Sequence, residues 1–323
     1  MPAPDFQPNC PLFFIMNAGS GHNDKSTTRQ TIENIMQQAG RTYRICMVEN
    51  VGDLPRVAQE AVDEALSCGG AVVAVGGDGT INAVANAVIG SGCAFGALPQ
   101  GTFNYFGRTH GLSEEIEEAT QALLHATPQP VQVGMLNDRI FLVNASLGLY
   151  PQVLEDREAY KQQYGRSRLV AAWSGLVSVF SEYHQFRLIL EKQGQSSTLR
   201  TPTLFVGNNR LQLEQIGIPE SELIEDGQLA AIAVRPVGTL ALLWLMVCGA
   251  FGKLGEAENI INFGFSRLTV KPSKLYRTRR FKVAMDGEIS WMNAPLDFCV
   301  SPEPLYLLKP TPTFTPTMED TSA

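Results

Sequence analysis

The chain has 323 residues, 44% of them apolar, and its 32 acidic and 25 basic side chains give a net charge of −7. This length and composition allow two domains with a buried core each, which argues against intrinsic disorder. The acidic balance and the lack of a long Lys/Arg run exclude nucleic acid as the main partner, because binding to a phosphate backbone needs a basic surface.

The cysteines and the apolar segments bear on the cellular compartment. The six cysteines are scattered, without a C-x-x-C pair or a histidine cluster, so reduced thiols in the cytoplasm are expected and a zinc site is not. The N-terminus lacks the pattern of a signal peptide. The most apolar segment, 237–252, is shorter than the roughly 20 residues that span a bilayer. We therefore predict that this segment does not cross the membrane. It is expected to form a helix that either is buried in the protein or docks on a lipid surface.

Short apolar runs alternate with helical patterns up to about residue 128. The predicted strands are LFFIM (12–16), YRICMV (43–48), AVVAV (71–75) and AFGAL (94–98), and a helical pattern follows each. Gly40 and Gly69 mark helix ends, and Ser113 with its acidic followers marks a helix start. This alternation predicts an α/β domain with a parallel sheet and flanking helices, in which ligands bind beyond the carboxyl ends of the strands.

The pattern changes to strands with hairpin signals near residue 130. Asn137-Asp138 and the run QGQSS (193–197) each lie between β-like runs, and helical patterns interrupt them at 151–165, 168–183 and 237–252. We therefore predict a nucleotide-binding α/β domain over 1–130 and a β-rich, sandwich-like domain over 131–308. The Pro/Thr-rich end, 309–323, is predicted to be a disordered tail.

Three glycine-bearing loops follow strands of the first domain: NAGSGH (17–22), GGDGT (76–80) and PQGTFN (99–104). In such loops backbone N–H groups can converge on an anion, aided by the helix N-terminus. Neither a P-loop nor a G-x-G-x-x-G fingerprint occurs. Asp78 would repel phosphates unless a divalent cation lies between them, which favours phosphoryl transfer. The alternative is that its Asp-Gly pair only makes a turn.

Two further Asp-Gly pairs contain Asp226, in LIEDGQL, and Asp286, in VAMDGEIS. Asp-Gly between β-like runs is a strong hairpin signal, so each can be purely structural. Glu288 follows Asp286 within two residues, and a pair of carboxylates near phosphates could take a proton from a substrate hydroxyl.

Six motifs in one order resemble the diacylglycerol kinase catalytic-domain family, which includes bacterial lipid kinases and sphingosine kinases. They are NAGSG, GGDGTIN, LPQGTFN, FLVNASLGL, LIEDGQL and VAMDGE, and they extend over nearly the whole chain. The order is far more specific than GGDGT alone, which NAD kinases share and phosphofructokinases carry in variant form. The resemblance implies an NAD kinase/phosphofructokinase-like first domain and an ATP- and Mg²⁺-dependent lipid kinase with its active site between two domains.

The same resemblance implies roles for individual residues. Glu288 with Asp286 would activate the lipid hydroxyl, and Asp78 would place the metal or the phosphates. Asp226 would ligate Mg²⁺ together with the backbone carbonyls of Leu223 and Gln228. The nucleotide would be held by Asn17, Ala18, Gly19, Ser20, Gly21, Gly76, Gly77, Asp78, Gly79, Thr80, Ile81, Asn82, Ala83, Gly101 and Thr102.

Four positions depart from the family pattern. His22 stands for a common Lys, Val48 for Thr, Ala83 for Glu, and Tyr105 for the Asp of the bacterial diacylglycerol kinases. These departures bear on the acceptor lipid more than on phosphoryl transfer.

We expect a cytoplasmic protein, peripheral at the inner face of the membrane, whose partner is a lipid presented at that surface; a homodimer is left open. Two other functions are also left open. One is a kinase of a soluble substrate such as NAD or a sugar phosphate, and the other is a nucleotide- or lipid-binding module with weak or no catalysis.

Overall fold

The computed structural model describes residues 4, 6–18, 25–148, 151, 185–273 and 280–310. Contacts divide the chain into a first unit, residues 1–131 with 303–323, and a second unit, residues 132–302. The sequence predicts that 131–308 form the second domain, whereas in the structure residue 131 and the residues from 303 onward belong to the first unit.

The first unit contains one six-stranded sheet, which we call sheet A, with the strand order β2-β1-β3-β4-β18-β5. The strands β1 to β4 are parallel, and β18 pairs parallel with β4 and antiparallel with β5. Its strands are β1 (Leu12–Asn17), β2 (Tyr43–Val48), β3 (Ala71–Gly76), β4 (Ala94–Pro99), β5 (Ala126–Val131) and β18 (Leu305–Pro310).

Strand β18 brings the C-terminal part of the chain into sheet A of the first unit. Leu305, Leu307 and Leu308 are almost completely buried, and Leu308 packs in a core cluster of the first unit. Burial of these leucines between β4 and β5 stabilises the sheet. The sequence alone places 305–308 in the β-rich second domain and 309–323 in a disordered tail, so it predicts no strand here. The structure corrects both boundaries, because Lys309 and Pro310 end β18.

Helices cover both faces of sheet A. They are α1 (Lys25–Gln38), α2 (Leu54–Ser67), α3 (Asp78–Val88), α4 (Tyr105–Thr109) and α5 (Ile116–Leu124), with a 3-10 turn at Val51–Asp53. Side chains of α1 and α5 pack with β1, β3 and β4 in one core cluster, and α2 and α3 contact each other and β3. The predicted α/β architecture with a parallel sheet is confirmed.

The predicted helix ends are also borne out. Gly40 and Gly69 adopt φ of +61° and +65°, the left-handed conformation that glycine adopts without strain. Ser113 lies in the turn before α5, where its Oγ accepts a hydrogen bond from the N–H of Glu115.

The second unit contains two antiparallel six-stranded sheets, sheet B (β10-β9-β14-β17-β6-β7) and sheet C (β13-β12-β11-β8-β15-β16). Leu188 and Phe298 of sheet B share one core cluster with Leu147 and Val206 of sheet C, so the predicted sandwich is confirmed. Sheet B consists of β6 (Gly134–Leu136), β7 (Arg139–Phe141), β9 (Phe186–Lys192), β10 (Gln195–Thr201), β14 (Arg267–Pro272) and β17 (Leu296–Val300). Sheet C consists of β8 (Asn144–Gly148), β11 (Thr203–Gly207), β12 (Leu229–Val234), β13 (Ile260–Phe265), β15 (Arg280–Met285) and β16 (Glu288–Asn293).

Two helices lie on the outer face of sheet C. Leu213 of α6 (Arg210–Gln215) and Leu245 of α7 (Thr239–Ala250) pack on Ala230 and Ile232 of β12. Two 3-10 turns, Pro219–Ile224 and Leu254–Glu256, complete this layer. Among the described residues no helix is long and apolar enough to cross a bilayer.

Two helical patterns and most of the tail lie outside the described residues. The pattern at 151–165, apart from Pro151, and the pattern at 168–183 are among them, as is the tail from residue 311 onward.

Two of the three Asp-Gly or Asn-Asp hairpin predictions are confirmed. Asn137 (φ +55°) begins the turn between β6 and β7, and Asp286 (φ +46°) with Gly287 (φ +87°) forms the two-residue turn between β15 and β16. Asp226-Gly227 makes no hairpin, so that prediction is wrong. The segment before it is the 3-10 turn Pro219–Ile224, which Gly227 (φ +74°) ends before β12 begins.

Candidate functional site

The carboxyl edge of sheet A brings the three glycine-bearing loops together. Strands β1, β3 and β4 are parallel neighbours that end at Asn17, Gly76 and Pro99. The N–H of Gln100 donates to the carbonyl of Gly76 (2.8 Å), and Asn17 Nδ2 donates to Thr80 Oγ1 (3.3 Å). Side-chain and backbone hydrogen bonds therefore fix the loops against one another.

The first of these loops is described only in part. Asn17 and Ala18 are described, and the N–H of Ala18 donates to the carbonyl of Val48 (2.8 Å). The positions Gly19, Ser20, Gly21 and His22 lie outside the described residues.

The second and third loops touch backbone to backbone at Gly77 and Gly101. A Cβ on Gly101 would lie 2.7 Å from the Cα of Gly77 and 2.8 Å from Oδ1 of Asn104, distances that real Cβ atoms essentially never show. The Asn104 side chain holds this contact, since its Oδ1 accepts from the Gly101 N–H (2.7 Å) and its Nδ2 donates to the Gly101 carbonyl (3.2 Å). Only glycine fits at residue 101.

Asp78 bridges the same two loops. It is the first residue of α3, and its carboxylate accepts hydrogen bonds from the N–H groups of Tyr105 (3.3 Å) and Phe106 (3.2 Å), in the first turn of α4. Burial raises the pKa of Asp78, and these backbone N–H groups partly offset the rise. A carboxylate at a helix N-terminus is favourable, so Asp78 both begins one helix and caps the next.

The N-terminus of α3 is the part of the rim suited to an anion. Its first intrahelical bond runs from the N–H of Ile81 to the carbonyl of Gly77 (3.0 Å). The N–H groups of Asp78, Gly79 and Thr80 therefore have no partner within the helix, and they carry its partial positive charge. Thr102 of the third loop is exposed.

Three of the residues that the resemblance assigns to the nucleotide have buried side chains. Thr80, Ile81 and Asn82 are 4%, 0% and 8% exposed, and Asn82 Oδ1 accepts from Asn86 Nδ2 (2.9 Å). These side chains support α3 from inside, so contact with a ligand at Thr80 is limited to its backbone.

An aromatic pair follows Gly101. Phe103 stacks on Tyr105 with ring centroids 5.7 Å apart and planes 6° from parallel, and Phe103 is 49% exposed. Burial raises the pKa of Tyr105, and the nearby Asp78 adds to the rise. The sequence flagged Tyr105 as a departure but missed the buried Asn104, whose left-handed backbone (φ +50°) had no signal beyond its place in the loop.

In the second unit, Asp286 holds a stretch of backbone. Its carboxylate accepts hydrogen bonds from the N–H groups of Leu142 (2.7 Å), Val143 (2.9 Å) and Asn144 (2.9 Å). Both oxygens are engaged in this way, and the three donors belong to residues that are at most 4% exposed. The side chain therefore positions the segment that leads into β8.

Glu288 is placed differently from Asp286. It begins β16 and is 54% exposed at its side chain, with Arg139 Nη2 3.9 Å from its Oε2. The two carboxylates thus do not share one environment. Glu288 is the more exposed member of the pair.

The turn that contains Asp226 brings together the three residues assigned to a metal ion. Asp226 is exposed, and the carbonyl of Leu223 accepts from the N–H groups of Asp226 (3.2 Å) and Gln228 (3.1 Å). Carboxylate and carbonyl oxygens are the ligands of Mg²⁺, so the donor types fit. The Leu223 carbonyl, however, already serves the turn, and among the described residues no three His, Cys, Asp or Glu side chains are grouped to hold a metal.

A polar network joins this turn to the segment that Asp286 holds. Gln132 Nε2 donates to the Gln228 carbonyl (3.0 Å) and to Asn208 Oδ1 (2.9 Å). Asn208 Nδ2 in turn donates to the carbonyl of Leu142 (3.0 Å). The sequence missed Gln132 and Asn208, because contacts across 66 to 96 residues leave no local pattern.

Comparison with known proteins adds three findings. The family model of the diacylglycerol kinase catalytic domain matches residues 11–136. A probable lipid kinase YegS-like of Pseudomonas putida is 31% identical over 258 residues, which cover 78% of this chain and 82% of that protein. A diacylglycerol kinase structure from Bacillus anthracis superposes with a TM-score of 0.67 at 19% identity, covering 94% and 98% of the two chains; it supports the fold alone.

Other relatives align over a shorter stretch. The probable lipid kinase YegS-like of Cronobacter sakazakii is 30% identical over 140 residues, 42% of this chain. In that alignment the chain spans about half the length of the relative, 45%.

Proposed function

Because the chain belongs to the diacylglycerol kinase catalytic-domain family, we propose that it is an ATP-dependent lipid kinase. It transfers the γ-phosphoryl group of ATP to a lipid hydroxyl, for example converting diacylglycerol to phosphatidic acid. The observation that carries the proposal is the rim of sheet A, where Gly77 and Gly101 meet without room for a Cβ beside the N-terminus of α3.

The first unit binds the nucleotide through its backbone. The N–H groups of Asp78, Gly79 and Thr80 supply donors and partial positive charge for phosphate oxygens. Asn17, Gly76 and Thr102 belong to the loops around them, and Asp78 fixes the third loop through its bonds to α4. Asp78 thus acts on the phosphates through positioning, which is the larger part of catalysis in phosphoryl transfer.

A bound Mg²⁺ would neutralise charge on the transferred phosphoryl group. We assign it to Asp226, with the carbonyls of Leu223 and Gln228 as further oxygen ligands. The exposed Asp226 carboxylate suits this role. Ligation by Leu223 requires its carbonyl to exchange at least one of the two N–H bonds it accepts in the turn.

The second unit serves the acceptor. Glu288 takes the proton from the lipid hydroxyl as the general base, because it is exposed and free of the backbone bonds that occupy Asp286. Asp286 holds the 142–144 backbone next to the turn that carries Glu288. The pair therefore divides its work into positioning and proton transfer.

The acceptor lipid is presented at the inner face of the membrane, and the protein acts in the cytoplasm. In support, all six cysteines are free thiols, as expected of a reducing compartment.

A product assay tests the proposed function. Purified protein is incubated with ATP labelled in the γ-phosphoryl group, Mg²⁺ and a panel of diacylglycerols, monoacylglycerols and sphingoid bases, with NAD and sugar phosphates as soluble acceptors in parallel. The expected result is label in an organic-extractable product whose mass is that of a lipid phosphate. Label in a water-soluble product would establish the soluble-substrate kinase instead, and ATP binding without turnover on any acceptor would establish a binding module.

A further inference from the structure

One side of α7 is apolar and exposed. Trp244, Val247 and Phe251 are 65%, 45% and 76% exposed, and their i, i+3, i+7 spacing places them along one face of the helix. Leu242 and Leu245 are buried, at 4% and 5% exposed, and Leu245 packs on sheet C. The helix therefore presents one apolar face to the core and a second one outward.

Charge is arranged around this helix and not on it. No residue of α7, Thr239–Ala250, carries a charged side chain, and the nearest charged residues along the chain are cations, Arg235 before it and Lys253 after it. Both of these cations are exposed. The nearest acidic residues along the chain lie beyond these cations: Asp226 precedes Arg235, and Glu256 follows Lys253.

Another exposed aromatic residue, Trp291 of β16, lies beside two cations of β15. Trp291 is 56% exposed, with the guanidinium of Arg280 5.8 Å and the ammonium of Lys282 5.4 Å from its ring centroid. Tryptophan with flanking cations is suited to the boundary between lipid headgroups and acyl chains, where its ring is amphipathic and the cations meet anionic phosphates.

The two features lie on the same side of sheet C. Val283 faces the sandwich core, so by strand alternation Lys282 and its cross-strand partner Trp291 face outward. Ala231 likewise faces the core, while Ile232 faces outward and packs in the cluster that contains Leu245 of α7. The outer side of sheet C thus carries an apolar helix face and a cation-flanked tryptophan.

We propose that this side of the second unit docks on an anionic lipid bilayer. Trp244, Val247 and Phe251 insert at the level of the acyl chains, and Arg280 and Lys282 bind headgroup phosphates. The charge pattern favours a bilayer over a second copy of the chain, because a two-fold contact through this face would bring the same cations close to one another. The choice of a lipid surface depends on the proposed function, since a lipid kinase has to reach a substrate that stays in the bilayer.

The experiment measures binding to vesicles by co-sedimentation. The full chain is mixed with vesicles of phosphatidylcholine containing about 30% phosphatidylglycerol, whose negative surface potential attracts nearby cations. A parallel sample contains vesicles of phosphatidylcholine alone. The triple variant Trp244→Ser, Val247→Ser, Phe251→Ser is expected to lose at least about tenfold in binding to both. The double variant Arg280→Gln, Lys282→Gln is expected to lose about 25-fold on the anionic vesicles only, at roughly fivefold per cation.

Matched controls lie elsewhere on the protein. Leu66→Ser changes an exposed leucine of α2 (46% exposed), and Arg200→Gln removes an exposed arginine from β10 of sheet B. Both are expected to bind vesicles as the wild type does. Unchanged thermal unfolding of the test variants shows that they fold.

Three outcomes overturn the proposal. In the first, folded test variants bind vesicles as well as the wild type does. In the second, the control variants lose as much binding as the test variants. In the third, the wild type binds no vesicles but sediments as a dimer that the triple variant converts to monomers. The proposed function has a separate readout, phosphorylation of a short-chain lipid dissolved in detergent. If that activity is absent from a protein that binds vesicles as predicted, the kinase proposal fails and the docking surface stands.

Discussion

The different placement of Asp286 and Glu288 leads to a sharp prediction for the variant Asp286→Asn. The carboxylate of Asp286 accepts from three buried N–H groups, those of Leu142, Val143 and Asn144. An asparagine can keep one oxygen for two of the donors but turns an NH₂ group towards the third. One buried N–H without an acceptor costs about 1–3 kcal/mol, and the two remaining bonds lose their charge assistance.

The expected loss in the free energy of unfolding is therefore about 2–4 kcal/mol. For a unit of this size it lowers Tm by roughly 5–15 °C. Asparagine tolerates the left-handed backbone of residue 286 (φ +46°), so strain does not confound the result. Asp286→Ala abolishes all three bonds and is expected to lose more, about 3–6 kcal/mol.

The assay is thermal unfolding followed by tryptophan fluorescence. All three tryptophans of the chain, Trp173, Trp244 and Trp291, fall within residues 132–302, so the signal reports on the second unit. The matched control is Glu288→Gln, which removes a charge from an exposed side chain and should change stability by no more than about 0.5 kcal/mol. Its activity should fall by roughly 10²–10⁴-fold. If Asp286→Asn unfolds at the same temperature as the wild type yet loses activity as Glu288→Gln does, Asp286 acts chemically and the positioning role is wrong.

Three further predictions follow from the packing. Gly101→Ala places a Cβ 2.7 Å from the Cα of Gly77. It is expected to weaken ATP binding more than tenfold in a fluorescence titration and to lower the free energy of unfolding by about 1–3 kcal/mol. The control is Gly238→Ala, where no atom lies within 4 Å of the added Cβ, and equal ATP affinity of the two variants would contradict the predicted effect of the contact. Burial lowers the pKa of His110 from 6.5 to about 3. The free energy of unfolding should therefore fall by up to about 4–5 kcal/mol as the pH drops from 6.5 towards 3, because only the unfolded chain binds the proton in that range. His110→Phe should flatten this part of the stability–pH curve, and an unchanged curve would contradict the role of His110. Asn208→Ala removes the hydrogen bonds of Asn208 to Gln132 and to the Leu142 carbonyl and should cost about 1–3 kcal/mol in urea unfolding. A loss below about 0.5 kcal/mol would show that the network is not needed.

Much of the fold could be predicted because its signals are local. The apolar runs 12–16 and 71–75 each precede an amphipathic helix, and Gly40 and Gly69 end the helices at the expected places. Strand β18 could not be predicted in this way. Its leucines are distinguished only by their partners β4 and β5, which lie more than 170 residues away in the chain.

The candidate site divides along the same line. The hairpin at Asp286-Gly287 follows from the residue pair itself, since asparagine, aspartate and glycine accept positive φ. The Asp286 carboxylate accepts hydrogen bonds from the backbone of residues 142–144 only because β15 pairs with β8. No local sequence pattern encodes that pairing. Similarly, the GGDGT loop predicted a turn at Asp78, but its bonds to α4 appear only once β3 and β4 lie side by side.

We propose that this chain transfers the γ-phosphoryl group of ATP to a lipid with Glu288 as the base. The most direct test measures transfer of label from γ-labelled ATP to diacylglycerol in detergent micelles with Mg²⁺, for the wild type and Glu288→Gln side by side. We expect organic-extractable label from the wild type and at least about a hundredfold less from the folded variant. Equal transfer by the two proteins would contradict the role of Glu288, and wild-type protein that labels no lipid would contradict the claim as a whole.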